Sequence, residues 1–187
     1  MGKLIVWNIA SVDGYFEGTE PWDLALHETV WGDELQALSI AQLEDAEALM
    51  FGRKTYEGFA AYWPNETETG PIADSMNAIR KYVVSDTLTE AAWNNTEIVS
   101  GDVVSAIKDL KRNTARNIYI FGSADLLSTL LPAGLVDEYR LGVASLLMGR
   151  GNPLFKPADQ RIDLKLLKSQ PLENGGIVLY YGLGNAA

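Results

Sequence analysis

The chain has 187 residues, an apolar fraction of 47% and a formal charge of −10 from 15 basic and 25 acidic side chains. That composition suits a globular domain with a hydrophobic core, and its acid surplus disfavours nucleic acid and anionic lipid as partners. With no cysteine, and His27 as the single histidine, disulfides, thiol nucleophiles and thiolate or His-rich metal centres are excluded.

From the N-terminus, Met1-Gly2-Lys3 leads into a short apolar run. The run is too short to span a membrane and has no small-residue cleavage site, so a cytoplasmic location is expected. Short runs rich in β-branched and aromatic residues predict strands over 3–10, 48–52, 81–85, 97–100, 117–122 and 137–147. Helical spacing falls between them, over 33–47, 53–61, 102–112 (with Asp102 as N-cap) and 124–131, where Pro132 and Gly134 stop the last helix. On 33–47 the spaced positions are Leu35, Leu38, Gln42 or Leu43, and Ala46. Residues 65–71 read as a polar loop. Strands alternating with helices imply βαβ units and a mostly parallel sheet. The runs 161–169 and 175–183, joined by Gln170-Pro171-Leu172-Glu173-Asn174, add antiparallel strands at the end. With no repeat and no linker, residues 1–187 are expected to form one α/β domain.

Three segments suit ligand chemistry. In Leu49-Met50-Phe51-Gly52-Arg53-Lys54-Thr55-Tyr56-Glu57 a buried strand turns at a glycine into a helix that opens with two cations. Free helix amides and positive side chains at one turn suit an anion. Solvated first-turn residues would give the same letters. Ile120-Phe121-Gly122-Ser123-Ala124-Asp125-Leu126 is a second strand-to-helix turn, and it lacks the G-x-S-x-G frame of a serine hydrolase. Ser11-Val12-Asp13-Gly14-Tyr15-Phe16 leaves the first strand, where Asp13 is expected at the carboxyl edge of the sheet. Trp22, Trp31, Asp33 and Glu34 supply an apolar wall and further carboxylates, although such aromatics also serve as plain core. Rossmann fingerprints fail on context. Gly182-Leu183-Gly184-Asn185-Ala186-Ala187 is followed by no helix, and Gly149-Arg150-Gly151-Asn152 meets Pro153.

In this order the segments resemble the dihydrofolate reductase-like superfamily, in the branch of the riboflavin biosynthesis C-terminal reductase domain. The motifs carrying the resemblance are Ser11-Val12-Asp13-Gly14, Met50-Phe51-Gly52-Arg53-Lys54-Thr55-Tyr56, Tyr82-Val83-Val84-Ser85, the Gly122-Ser123 turn, Gly134-Leu135-Val136-Asp137-Glu138-Tyr139-Arg140-Leu141 and Gly149-Arg150-Gly151-Asn152-Pro153-Leu154-Phe155. The resemblance implies a three-layer α/β fold with a mostly parallel central sheet, antiparallel C-terminal strands and flanking helices. It implies an NADPH-dependent oxidoreductase, like dihydrofolate reductase or 5-amino-6-(5-phosphoribosylamino)uracil reductase, with NADH not excluded. The substrate would be a small pterin- or pyrimidine-like heterocycle, and the assembly a homodimer. It assigns Gly52, Arg53, Lys54, Thr55, Ser85, Gly122, Ser123, Ala124, Asp125 and Leu126 to the cofactor. Asn8, Tyr15, Trp22 and Phe121 go to the substrate, and Asp13, Asp33 or Glu34 to proton donation. No metal is implied. The chain departs from the family pattern at Ser123, where a second glycine is usual, and at Leu141, where dihydrofolate reductases carry a threonine. Asp86 is a poor neighbour for a 2′-phosphate. The alternatives are a dimeric nucleotide-binding protein of the same fold without turnover, and a scaffold with both turns empty.

Overall fold

The computed structural model describes residues 2–184, so Asn185, Ala186 and Ala187 of the C-terminal glycine pattern lie outside it. The chain runs β1 (Leu4–Ser11), β2 (Tyr15–Glu17), α1 (Ala25–Glu28), α2 (Asp33–Asp45), β3 (Ala46–Gly52) and α3 (Arg53–Tyr62). A 3-10 turn (Trp63–Asn65) leads to α4 (Pro71–Ala78), β4 (Arg80–Val84), β5 (Thr96–Val99), α5 (Val103–Asn113), β6 (Asn117–Phe121) and α6 (Ala124–Leu130). The remaining strands are β7 (Glu138–Ala144), β8 (Asn152–Pro153), β9 (Leu164–Pro171) and β10 (Ile177–Leu183).

Eight strands form one sheet in the order β5-β4-β3-β6-β1-β7-β10-β9. From β5 to β7 all pairings are parallel; β10 joins β7, and β9 joins β10, antiparallel. This is the dihydrofolate reductase-like arrangement that the motifs imply. Alternation along β1 fixes the layers. Leu4 and Val6 face a core shared with α5 and α6, while Ile5 faces the opposite core under α3 and α4. A third cluster, around Ile9, Leu26, Leu35 and Val178, seats α1 and the start of α2. Asp102 caps α5 as expected, accepting from the Ser105 amide at 3.0 Å. No helix among the described residues is long and apolar enough to cross a membrane.

Three expectations are corrected. The loop read over 65–71 stops at Gly70: Pro71 opens α4, which buries Ile72, Ala73 and Met76. A proline in the first helical turn is a start signal, because its missing N–H would have had no partner there. The strand expected over 137–147 ends at Ala144. Residues Tyr15–Glu17, read only as a turn exit, pair with β8 as a separate two-stranded ribbon.

Candidate functional site

The order β3-β6-β1 brings the carboxyl ends of three parallel strands to one side of the sheet, where they open into a cleft of about 1150 Å³. At its mouth the β3–α3 and β6–α6 turns are joined. The Gly52 amide donates to Ser123 Oγ at 2.9 Å, and Ser123 Oγ lies 3.1 Å from Thr55 Oγ1. Gly122 and Ser123 both have left-handed backbone, with φ of 58° and 68°. A Cβ on Gly122 would also come within 3.1 Å of the Thr55 side chain, which explains the glycine. From the next strand, Asn8 Nδ2 donates to the Gly122 carbonyl at 3.3 Å.

Among the described residues no side chain caps α3, so its leading amides stay available to an anion. Arg53 bonds Glu57 one turn on at 2.9 Å, and Lys54 lies 3.9 Å from Asp125, which also pairs with Lys156. These contacts are solvent-exposed and therefore weak competitors for a phosphate. Ser85 and Asp86 line the same end, and the Asp86 carboxylate accepts from the Gly101 amide at 2.8 Å.

Trp22, Phe59 and Trp63 give the cleft an aromatic wall, with the Trp22 and Phe59 ring centroids 6.0 Å apart and those of Phe59 and Trp63 6.2 Å apart; Trp7 and Trp31 line the cleft as well. Trp22 has φ 65° and donates its amide to Glu17 Oε1 at 2.7 Å; its indole covers Gly58, where a Cβ would fall 1.9 Å from the ring.

Every residue assigned to the cofactor lines the cleft, as do Asn8, Trp22 and Phe121. Tyr15, Asp13 and Asp33 are not among the lining residues. Tyr15 sits in the ribbon opposite Pro153. The Asp13 carboxylate accepts from the Ser11 hydroxyl at 2.6 Å and from the amides of Met148 and Gly149 at 3.1 and 2.7 Å. Those bonds, with the Ser11 hydroxyl foremost, hold its pKa below the usual carboxylate value. Asp13 is therefore a brace between two loops. Asp33 is the exposed first residue of α2.

Sequence reasoning missed Gln42, His27 and Trp63 as cleft residues. Gln42 was legible, because a polar side chain on the buried face of a helix is the informative exception. His27 is pushed down to a pKa of about 4 by burial.

The eight-stranded sheet, parallel up to its two antiparallel C-terminal strands, has the dihydrofolate reductase-like fold. The model of the RibD C-terminal domain matches residues 2–178, and the chain belongs to that family. It is 28% identical over 185 residues to the uncharacterized protein YyaP of Bacillus subtilis, covering 96% of this chain and 94% of that one. A solved protein of Shewanella sp. PV-4 assigned to riboflavin biosynthesis superposes with a TM-score of 0.81 at 21% identity, covering 99% of this chain and 100% of that one. Dihydrofolate reductase of Enterococcus faecalis, complexed with NADP(H) and RAB-propyl, gives 0.66 at 15% identity and 98% coverage of each chain.

Proposed function

We propose that the protein is a reductase that holds NADPH, or NADH, along the two tethered turns and reduces a small heterocycle against the aromatic wall of the cleft. The observation that carries this reading is the Gly52–Ser123–Thr55 junction, which sets two amide-lined turns at one mouth. Family membership and the fold shared with an NADP(H)-bound reductase support it. The residues fit such a group: α3 is uncapped, Gly122 leaves space only a glycine provides, and Arg53 and Lys54 flank the turn. When bound, a dihydronicotinamide supplies a hydride. The chain's part is to bind phosphates at Gly52-Arg53-Lys54-Thr55, orient the ring past Gly122 and Ser123, and exclude water with the tryptophans.

Asp13 and Asp33 are replaced in this reading by a proton drawn from solvent. Glu17, which lines the cleft, is already committed to the Trp22 amide and to Asn152 Nδ2. That neither Asp13 nor Asp33 lines the cleft favours the second reading, a nucleotide-binding protein without turnover. Following NADPH absorbance against a panel of heterocyclic acceptors separates the two: oxidation dependent on one acceptor establishes the reductase, and none with any acceptor leaves the binder.

A cytoplasmic homodimer belongs to the same proposal. Leu164, Leu166 and Leu167 are exposed on the edge strand β9, a surface that a second copy would cover.

A further inference from the structure

The cleft continues past Gly52 on the side away from Ser123. There β3, β4 and β5 run parallel and in step, with Gly52 beside Val84 and Val84 beside Val99. Arg53, Ser85 and Ser100 therefore leave the sheet at one level. The Ser85 hydroxyl is folded back on its own turn, where it accepts from the amides of Thr87 and Leu88 at 3.1 and 3.0 Å. Asp86 follows it, exposed and lining the cleft, and its Oδ1 accepts from the Gly101 amide at 2.8 Å. That bond crosses from the end of β4 to the loop before α5 and holds the carboxylate in place. Among the described residues Oδ1 alone is engaged, which leaves Oδ2 to a ligand. Val84 and Val103 give the same stretch of cleft apolar sides.

Positive charge is already committed elsewhere. The cations that line the cleft among the described residues are Arg53, Lys54 and Lys156. Arg53 bonds Glu57, which lines the cleft with it, and both lysines pair with Asp125 of α6, on the other side of Gly52. Asp102, which caps α5, has Lys108 of its own helix as a counter-charge. A phosphate monoester brought beside Ser85 would therefore meet the carboxylates of Asp86 and Glu57, with Arg53 the opposing cation. Like charges set side by side discriminate strongly against a ligand. A ribose hydroxyl meets the reverse situation, because a carboxylate with a spare oxygen accepts its hydrogen bond.

The cofactor reading takes the nicotinamide past Gly122 and Ser123, on β6, so the adenosine half falls on the β4 side of Gly52. Resting on that reading, we propose that Asp86 is the residue that selects the dinucleotide. It receives an adenosine ribose through its free hydroxyls and rejects the 2′-phosphorylated form, which makes NADH the preferred cofactor and leaves Arg53 to the pyrophosphate.

The test is a fluorescence titration of the full chain with NADH and with NADPH, which carry the same dihydronicotinamide and differ only in the 2′-phosphate. Binding alone is read, so a protein without turnover gives the same answer as a reductase. The parent should bind NADH about tenfold tighter than NADPH. Asp86→Asn keeps an oxygen for Gly101 and removes the charge; it should tighten NADPH about three- to tenfold and weaken NADH about threefold. The parent's own ratio carries the test if the variant fails to fold. NADPH bound as tightly as NADH, or more tightly, would overturn the proposal and leave the cofactor reading standing, whereas binding of neither would overturn both. A folded Asp86→Asn with the parent's ratio would also overturn it.

Discussion

The amide of Gly52 donates to the hydroxyl of Ser123 across 71 residues of sequence, at 2.9 Å. One hydrogen bond thereby sets the spacing of the two turns that frame the cleft. It also explains a serine at φ 68°, where the left-handed conformation costs an ordinary residue about 1 kcal/mol. The hydroxyl is what glycine lacks.

Ser123→Ala removes the acceptor and keeps the strain, leaving the Gly52 amide unpaired in a half-buried setting. It should lower stability to urea by about 1–2 kcal/mol. Ser123→Gly loses the same bond and relieves the backbone, so it should be the milder of the two. A serine with no tethering role would make Ser123→Gly at least as stable as the parent.

His27 gives the stability curve a distinct shape. Its pKa is about 4 in the folded chain, because burial disfavours the cation, against about 6.5 unfolded. Between those values the unfolded state binds more protons, so stability falls as pH drops from 6.5 toward 4. From pH 7.5 to 5.0 the loss attributable to this group is about 2 kcal/mol. His27→Gln should flatten the urea midpoint over that interval. The window stays above the range where Asp13, Asp125 and Glu138 titrate, since hydrogen bonds and cations hold each below its ordinary value.

Lys81 is wholly buried, and its ammonium donates to the carbonyls of Asn77, Ile79 and Asn94 at 3.0, 2.7 and 3.2 Å, 4.4 Å from the Trp93 ring centre. It closes the end of α4 and ties it to the loop before β5. Lys81→Met fits the volume but strips three carbonyls of their donor, so a loss of about 2–3 kcal/mol is expected in urea unfolding. Unchanged stability would mean water replaces the ammonium without cost.

The parallel core of the sheet was legible because its strands were short apolar runs bounded by a glycine, a cap or a helix of the right period, whereas the exposed β9 runs on through Gln170 and Pro171, which read as its connection. The two turns were legible because cations beside a glycine at a strand end have a local chemical meaning. What sequence did not show was long-range. Asp13 looked like a free acid until Met148 and Gly149 were brought to it from the far end of the chain. Gln42 stood out as a polar residue on a buried helix face, but its partner Arg140, 98 residues on, did not. Helix α4 hid behind Gly70 and Pro71, which read as loop when only the preceding polar residues were weighed.

The most direct test of the account is thermal unfolding of the full chain and of Arg53→Ala, with and without NADPH or NADH. Arg53 is exposed and, among the described residues, bonds only Glu57 on its own helix, so the variant should melt with the parent in the absence of nucleotide. Nucleotide at 100 times its Kd stabilises the folded state by about 2.7 kcal/mol, a rise of about 5–10 °C for a chain of this length. The account predicts that rise in the parent and a smaller one in Arg53→Ala. No shift with either nucleotide at millimolar concentration would contradict it.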